Sequence, residues 1–205
     1  MIEVIIDNRE TKLKQHFAKL PYITIVNLEL GDIIIKYNNE IMVVIERKRL
    51  DDLASSIKSG RYKQQKLRLL STYPKHKILY LIEGDLHKIP TEFINGINYY
   101  TLTSSLINCL LRDNIKIYKT IDIQETIQFI ENFITKLHKQ GNTFLKTKTK
   151  EETVNDFNNS LIKRNKKQNL TPTVCFLGQL CQIPGISIIK AKPIVDKYKT
   201  MANLI

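Results

Sequence analysis

The sequence predicts an α/β fold in which helices cover a mixed sheet. Three observations carry that prediction. Along residues 1–140, apolar runs of strand length alternate with amphipathic segments of helical length. One run, Ile78-Leu79-Tyr80-Leu81-Ile82, is apolar throughout, as in a strand covered on both faces. Two other runs flank Asn38-Asn39, a turn signal that pairs them as a β-hairpin.

Taken in order, Glu3 to Asp7 reads as a short buried strand around Val4-Ile5-Ile6 and ends in the charged Asp7-Asn8-Arg9-Glu10. Thr11 to Leu20 has helical spacing (Leu13, Phe17, Leu20) and stops before Pro21. Ile23 to Val26 is a second strand, continuing toward Leu28 and Leu30 until Gly31-Asp32 breaks it. Ile33 to Ile35 and Ile41 to Ile45 form the third and fourth strands, so residues 32–48 make the hairpin. A helix starts near Asp51 with Leu53, Ala54 and Ile57 inward. Ser59-Gly60 interrupts it, and Arg61 to Tyr73 forms the next, with Leu67 and Leu70 facing in. After the fifth strand, Ile97 to Arg112 is a helix (Leu102, Leu106, Leu110) and Ile115 to Tyr118 a sixth strand. Ile123 to Leu137 is an amphipathic helix with Ile127, Ile130, Phe133, Ile134 and Leu137 on one face. Residues 141–170 turn polar and Lys/Thr/Asn-rich, a linker with one helical turn around Val154 to Leu161. Residues 171–205 recover apolar pattern as a small helical module.

The 205 residues carry a net charge of +12, which favours a polyanionic partner. The one nearly pure basic run, Lys163-Arg164-Asn165-Lys166-Lys167, is either a solvated charge run or a phosphate-contacting or nuclear-localisation segment. Cys109, Cys175 and Cys181 form no C-x-x-C pair, and the four histidines are scattered, so neither a disulfide framework nor a zinc site is indicated. No apolar stretch reaches the ~18 residues of a membrane span, and Met1-Ile2-Glu3-Val4 lacks the regions of a signal peptide. The expectation is a soluble protein of an intracellular, reducing compartment, with no membrane partner.

The candidate site lies where the fourth strand ends. Val43-Val44-Ile45 runs directly into Glu46-Arg47-Lys48-Arg49 and Asp51-Asp52. Charges at the end of a buried strand must be paired, hydrated or binding something. With the turn centred on Asn39, Asp32 faces Glu46 across the hairpin, and opposed residues hold their Cβ atoms roughly 4.5–5.5 Å apart. Two carboxylates so close repel unless a cation sits between them, and Lys48, two positions on, shares their face. Oxygen ligands of this kind suit Mg²⁺, and metal-assisted phosphodiester hydrolysis is the chemistry that uses such a set. Lys48 would hold the attacking water or neutralise developing charge. Asp7 and Glu10 could supplement the metal shell, and Arg9 could grip a phosphate oxygen; the alternative for Asp7-Asn8-Arg9-Glu10 is an acidic helix start. Arg47 and Arg49 alternate to the other face, where their side chains serve packing or DNA contact.

Asp7-Asn8-Arg9-Glu10, Gly31-Asp32 and Glu46-Arg47-Lys48, followed by three residues and Asp52, together resemble the XPF/MUS-type structure-specific endonucleases. The continuation Leu53-Ala54-Ser55-Ser56-Ile57, Gly60-Arg61-Tyr62, Gln65-Lys66 and Leu67-Arg68-Leu69 extends the likeness across residues 1–140, and it resumes over 172–205. The resemblance implies a restriction-endonuclease-like mixed sheet flanked by helices, with a C-terminal all-α helix-hairpin-helix module. It implies metal ligation by Asp32, Glu46, Glu10 and the Arg47 backbone carbonyl, with Asp7, Arg9 and Lys48 completing the catalytic set. Asp52 matches the last motif position, either catalytic or a first-turn acid. Arg61 is either an ion-pair partner near the site or a DNA contact.

In the tail, the Pro184-Gly185 turn with Ile186, Ser187 and Lys190 resembles a hairpin that offers backbone N–H groups to DNA phosphates. Family members carry two such hairpins, and this chain ends as a second would begin, so the module is expected to be incomplete, with Pro193 interrupting its second helix after the first turn. The implied activity is cleavage of branched DNA (flaps, forks, nicked junctions) in repair or recombination, with Mg²⁺ as cofactor and Mn²⁺ substituting. The implied assembly is a homodimer or a heterodimer with a related nuclease-fold subunit, and the implied location is nuclear in a cellular eukaryote and cytoplasmic otherwise. The alternatives are a non-catalytic DNA-binding and dimerisation subunit, or a metal nuclease without branch preference.

Overall fold

A computed structural model of the chain describes residues 1–85, 93–145 and 171–204. The expected helical turn at 154–161 and the basic run at 163–167 lie outside the described residues. The chain divides into two compact units, Met1–Thr143 and Phe144–Ile205.

The first unit runs β1 (Ile2–Asp7), α1 (Thr11–Phe17), β2 (Ile23–Val26), β3 (Ile33–Tyr37), β4 (Glu40–Arg49), α2 (Leu50–Lys58), α3 (Arg61–Thr72), β5 (Ile78–Glu83), β6 (Phe93–Ile94), β7 (Ile97–Asn98), α4 (Tyr99–Leu111), β8 (Lys116–Thr120) and α5 (Ile123–Leu145). Six strands form one sheet in the order β2-β1-β3-β4-β5-β8, and β6 and β7 make a separate small hairpin. Pairing is antiparallel between β1, β3 and β4 and parallel at β1–β2, β4–β5 and β5–β8. The sheet is therefore mixed.

Period-2 alternation splits the core between its faces. Val4, Ile6, Ile33, Ile35, Ile45 and Leu81 meet Leu13 and Phe17 of α1 and Ile127, Ile130, Ile134 and Leu137 of α5. Ile34, Val44, Ile78, Tyr80 and Ile82 meet Leu53 of α2, Tyr62 and Leu69 of α3, and Leu102 and Cys109 of α4. Both faces of β5 are buried, as its wholly apolar sequence predicts.

The hairpin reaches its expected register by a different route. Asn38 and Asn39 both have positive φ (51° and 64°), the conformation of a two-residue type I′ turn closed by Tyr37 and Glu40. That turn sits half a residue earlier than one centred on Asn39. A bulge between Ile35 and Lys36 leaves Met42 unpaired and restores the frame, so Ile33 faces Ile45.

Several helix faces differ from expectation. On α3 the buried residues are Tyr62, Lys66 and Leu69, while Leu67 is 55% exposed. On α4 Cys109 turns inward and Leu110 outward. Helix α5 continues past Leu137 to Leu145, with a kink at Gln140. Gly141 lies against the Tyr37 ring, where an added Cβ would come within 2.4 Å of ring carbons.

In the second unit, α6 (Pro172–Leu180) and α7 (Ile188–Tyr198) pack Phe176, Leu177 and Leu180 against Ala191 and Val195. Thr171 caps α6 through Val174 N–H, with Pro172 in its first turn. Pro193 does not interrupt the second helix, contrary to expectation: α7 continues through it to Tyr198. The ring deprives the Ile189 carbonyl of its i+4 donor, and Ile189 is solvent-exposed, so water can serve that carbonyl. No helix of the described residues is long and apolar enough to cross a membrane.

Candidate active site

Strand β4 leaves the core at Glu46. Val44, Glu46 and Lys48 point toward α2 and α3, whereas Ile45 and Arg47 point toward α1 and α5, so the motif splits between the two faces of the sheet. On the first face, continuing the Ile33–Ile45 register by one residue sets Asp32 opposite Glu46. Gly31 makes the approach possible: its φ is +78°, and a Cβ there would lie 2.8 Å from Val44 Cγ1. Asp32 N–H donates to the Ile45 carbonyl at 2.8 Å, and Arg47 N–H donates to Asp32 Oδ2 at 2.8 Å.

The Glu46 side chain is 1% exposed. Its Oε1 accepts from Lys48 Nζ at 3.0 Å and from Gln65 Nε2 at 2.6 Å. Its Oε2 is buried with no partner among the described residues. Burial, then the nearby Asp32 charge, pushes the Glu46 carboxyl up to about 7, against the opposing pull of Lys48. Burial likewise raises Asp32, opposed by the Arg47 N–H and Lys48. Lys48 alone therefore leaves the pair undercompensated.

A divalent cation fits this donor set. Each carboxylate has one oxygen committed to a protein donor, and the unpartnered Glu46 Oε2 is the kind of buried acceptor that a metal satisfies. Among the described residues no three His, Cys, Asp or Glu side chains converge as a metal-binding group. Water and a backbone carbonyl would complete the shell of Mg²⁺, which keeps several waters.

The other sequence candidates have separate fates. Glu10 Oε2 accepts from Arg47 Nη1 at 2.9 Å, and Glu10 lines the same cleft as Asp32 and Glu46. Asp7 is saturated: Oδ1 accepts Arg9 N–H (2.8 Å) and Nε (2.7 Å), and Oδ2 accepts Arg9 Nη2 (2.9 Å) and Leu28 N–H (2.8 Å). These donors, with the side-chain bond to Arg9 foremost, hold Asp7 below the usual carboxylate range. Both of its oxygens are engaged in presenting the exposed Arg9 guanidinium. Of the two roles expected of the Arg47 side chain, packing or DNA contact, the buried geometry gives it packing. It binds Glu83 through Nε (2.9 Å) and Nη2 (2.6 Å), and Glu83 accepts from Thr126 Oγ1 of α5 at 2.8 Å. Asp52 sits in the first turn of α2. With Arg9, Asp32, Glu46, Lys48 and Arg61 it lines one cleft of about 560 Å³. Arg61 Nε donates to Ser59 Oγ at 3.0 Å.

In the second unit, Gly185 has φ +85° and Ile186 N–H donates to the Ile183 carbonyl within the turn. Lys190 Nζ donates to the Gly185 carbonyl at 3.1 Å, and Ser187 precedes α7 in extended conformation without a side-chain cap. Pro184 lies in the same turn.

Two residues of the site, Gln65 and Glu83, carry no role in the sequence pattern. The signal that could have found Gln65 is the polar stripe Arg61, Gln65, Arg68 at helical spacing, bordering the buried stripe Tyr62, Lys66 and Leu69. Glu83 ends an apolar strand just as Glu46 does.

The ERCC4 domain profile matches residues 6–133. The chain is 32% identical over 184 residues to mouse structure-specific endonuclease subunit MUS81, covering 79% of this chain and 32% of that protein. It is 33% identical over 250 residues to the probable crossover junction endonuclease mus81 of Dictyostelium discoideum, covering 99% of this chain and 26% of that protein. The chain thus spans about a third or less of the length of these curated relatives. The solved structure of XPF from Aeropyrum pernix in complex with DNA superposes with a TM-score of 0.53 at 19% identity, covering 100% of this chain and 85% of that one. On the extent of the domain match and the shared fold, the chain belongs to the ERCC4-domain family of XPF/MUS81-type nucleases.

Proposed function

We propose that the chain is a metal-dependent DNA endonuclease that hydrolyses phosphodiester bonds in branched DNA. The observation that carries this reading is the buried Asp32–Glu46 pair with Lys48 on its face and Glu46 Oε2 left without a partner. Asp32, Glu46 and Glu10, with the Arg47 backbone carbonyl, would hold Mg²⁺, with Mn²⁺ as a substitute; Glu10 lines the same cleft and has one oxygen bound to Arg47. Bound there, the cation supplies polarisation of a phosphoryl oxygen and a lowered pKa for its bound water. Lys48 orients the attacking water or offsets charge developing on the phosphoryl oxygens. Arg9, aimed by Asp7, offers a guanidinium to a non-bridging oxygen. Asp52 and Arg61 line the path of the strand being cut.

Branched DNA as the substrate is supported by the names of the relatives, a structure-specific endonuclease subunit and a crossover junction endonuclease. In the second unit, the turn through Pro184, Gly185, Ile186 and Ser187, with Lys190, would contact DNA phosphates without reading sequence. The working form is a dimer, with a second copy or a related nuclease-fold subunit, inside the cell and in the nucleus where the source is a cellular eukaryote. The test is to incubate the purified chain, alone and with a candidate partner, with flap and linear duplexes in Mg²⁺, Mn²⁺ or EDTA. Metal-dependent cutting that favours the flap supports the proposal. Equal rates on both substrates refute branch preference, and no cutting under any condition refutes the nuclease reading.

A further inference from the structure

The Asp32–Glu46–Lys48 group is closed by a fourth side chain from a different element. Gln65 projects from α3 into the cleft, and its carboxamide is used at both ends. Nε2 donates to Glu46 Oε1 at 2.6 Å, and Oε1 accepts from Lys48 Nζ at 2.6 Å. Lys48 Nζ also lies 3.0 Å from Glu46 Oε1, so three side chains form a closed ring. Only an amide of this length presents a donor and an acceptor side by side. A carboxylate there would meet Glu46 with like charge, and asparagine would fall one methylene short.

The ring decides which Glu46 oxygen is free. Both donors converge on Oε1, leaving Oε2 buried and unpartnered. Asp32 is treated similarly, with the Arg47 N–H engaging Oδ2 and no donor among the described residues on Oδ1. Each carboxylate therefore has one oxygen anchored by the protein. For Glu46 the anchor comes from a helix outside the hairpin. The attachment is firm, since Tyr62 and Leu69, on the adjoining stripe of α3, are buried against the sheet. Gln65 also fixes the Lys48 ammonium, which otherwise ends a flexible four-carbon stem.

We infer that Gln65 is a positioning residue of the metal site, holding Glu46 so that Oε2 faces the cation and holding Lys48 beside it. This inference rests on the proposed metal-dependent reading of the site. It predicts that losing the amide weakens metal binding even in the absence of DNA, by about 10- to 100-fold, as for other residues that orient metal ligands.

The experiment measures Mn²⁺ binding to the DNA-free protein by calorimetry, for the parent, Gln65→Met and Gln65→Ala. Thermal unfolding in EDTA is recorded alongside. Methionine keeps the length and helix propensity of glutamine and removes only its polar ends. The expected result is Mn²⁺ affinity at least tenfold weaker in both variants, with the EDTA unfolding curve of Gln65→Met matching the parent. Parent-like Mn²⁺ affinity in Gln65→Met overturns the inference and leaves the nuclease reading standing. Loss of affinity only in step with loss of folding assigns Gln65 a structural role and overturns it too. A parent that binds no Mn²⁺ removes the metal-site reading itself, and the inference with it.

Discussion

Replacing Arg47 with methionine should unfold the nuclease unit far more readily than its place in a catalytic motif would suggest. The guanidinium is 12% exposed and makes three charge-assisted bonds, two to Glu83 and one to Glu10. Methionine fills much of the same volume but leaves two carboxylates facing each other at the sheet edge. Among the described residues Glu83 then keeps Thr126 as its side-chain donor, while Glu10 is partly open to water. Breaking a buried ion pair by removing one partner costs about 3–5 kcal/mol, a large share of the roughly 5–15 kcal/mol that holds a domain folded. With a urea m-value of about 2 kcal/mol/M, the midpoint in EDTA falls by about 1.5–2.5 M. Adding Glu83→Met removes the stranded charge, so the double variant should recover about 2 kcal/mol relative to the sum of the single changes. An Arg47→Met loss below about 1 kcal/mol, or simple additivity, would refute the assignment of this side chain as a buried strut.

Other perturbations separate the faces of the site. Glu46 has its carboxyl raised from 4.5 to about 7, so the folded state keeps a proton that the unfolded state releases. The stability from this proton is fully present below about pH 4.5 and lost as pH rises through about 7, on the order of 3 kcal/mol. In EDTA, Glu46→Gln should flatten the decline of stability between pH 5 and 8, and an unchanged slope would contradict the buried-carboxylate account. Gly31→Ala places a Cβ 2.8 Å from Val44 Cγ1 at φ +78°. It should cost about 2 kcal/mol or more and reduce cutting through displacement of Asp32, read by urea melts and single-turnover rates. Asp113→Asn strands the Lys66 ammonium, which is 7% exposed and pairs with Asp113 at 2.6 Å. A loss of about 3 kcal/mol with unaltered metal affinity is expected in calorimetry, because this pair lies away from the cleft.

Much of the site was legible because a hairpin converts sequence spacing into proximity. Asp32 and Glu46 could be paired from the Asn38-Asn39 turn alone, yet the pairing is right only because the Met42 bulge offsets the turn's half-residue displacement. Nothing in an alternating apolar run marks where an extra residue will be tolerated. Side chains that act across elements were harder to see. A carboxylate at a strand end such as Asp7 looks available to a metal from sequence, whereas four N–H donors, one from Leu28 in a distant loop, occupy it in the fold. Gln65 lies 17 residues beyond Lys48, and only the packing of α3 shows that they meet. Leu67 is expected inward on apolarity alone, whereas the face that α3 buries runs through Tyr62, Lys66 and Leu69. The β6–β7 hairpin was missed because two-residue strands carry no periodicity.

The central claim is that Asp32, Glu46 and Lys48 hold and serve a catalytic metal. The most direct measurement is single-turnover cleavage of a flap duplex in Mg²⁺ by the parent, Asp32→Asn and Lys48→Ala, with any required partner present. DNA binding and unfolding are checked for each variant. The account predicts metal-dependent cutting by the parent and a loss of at least about 100-fold in both variants, whose fold and DNA affinity persist. Cutting by folded Asp32→Asn or Lys48→Ala at the parent's rate would contradict it.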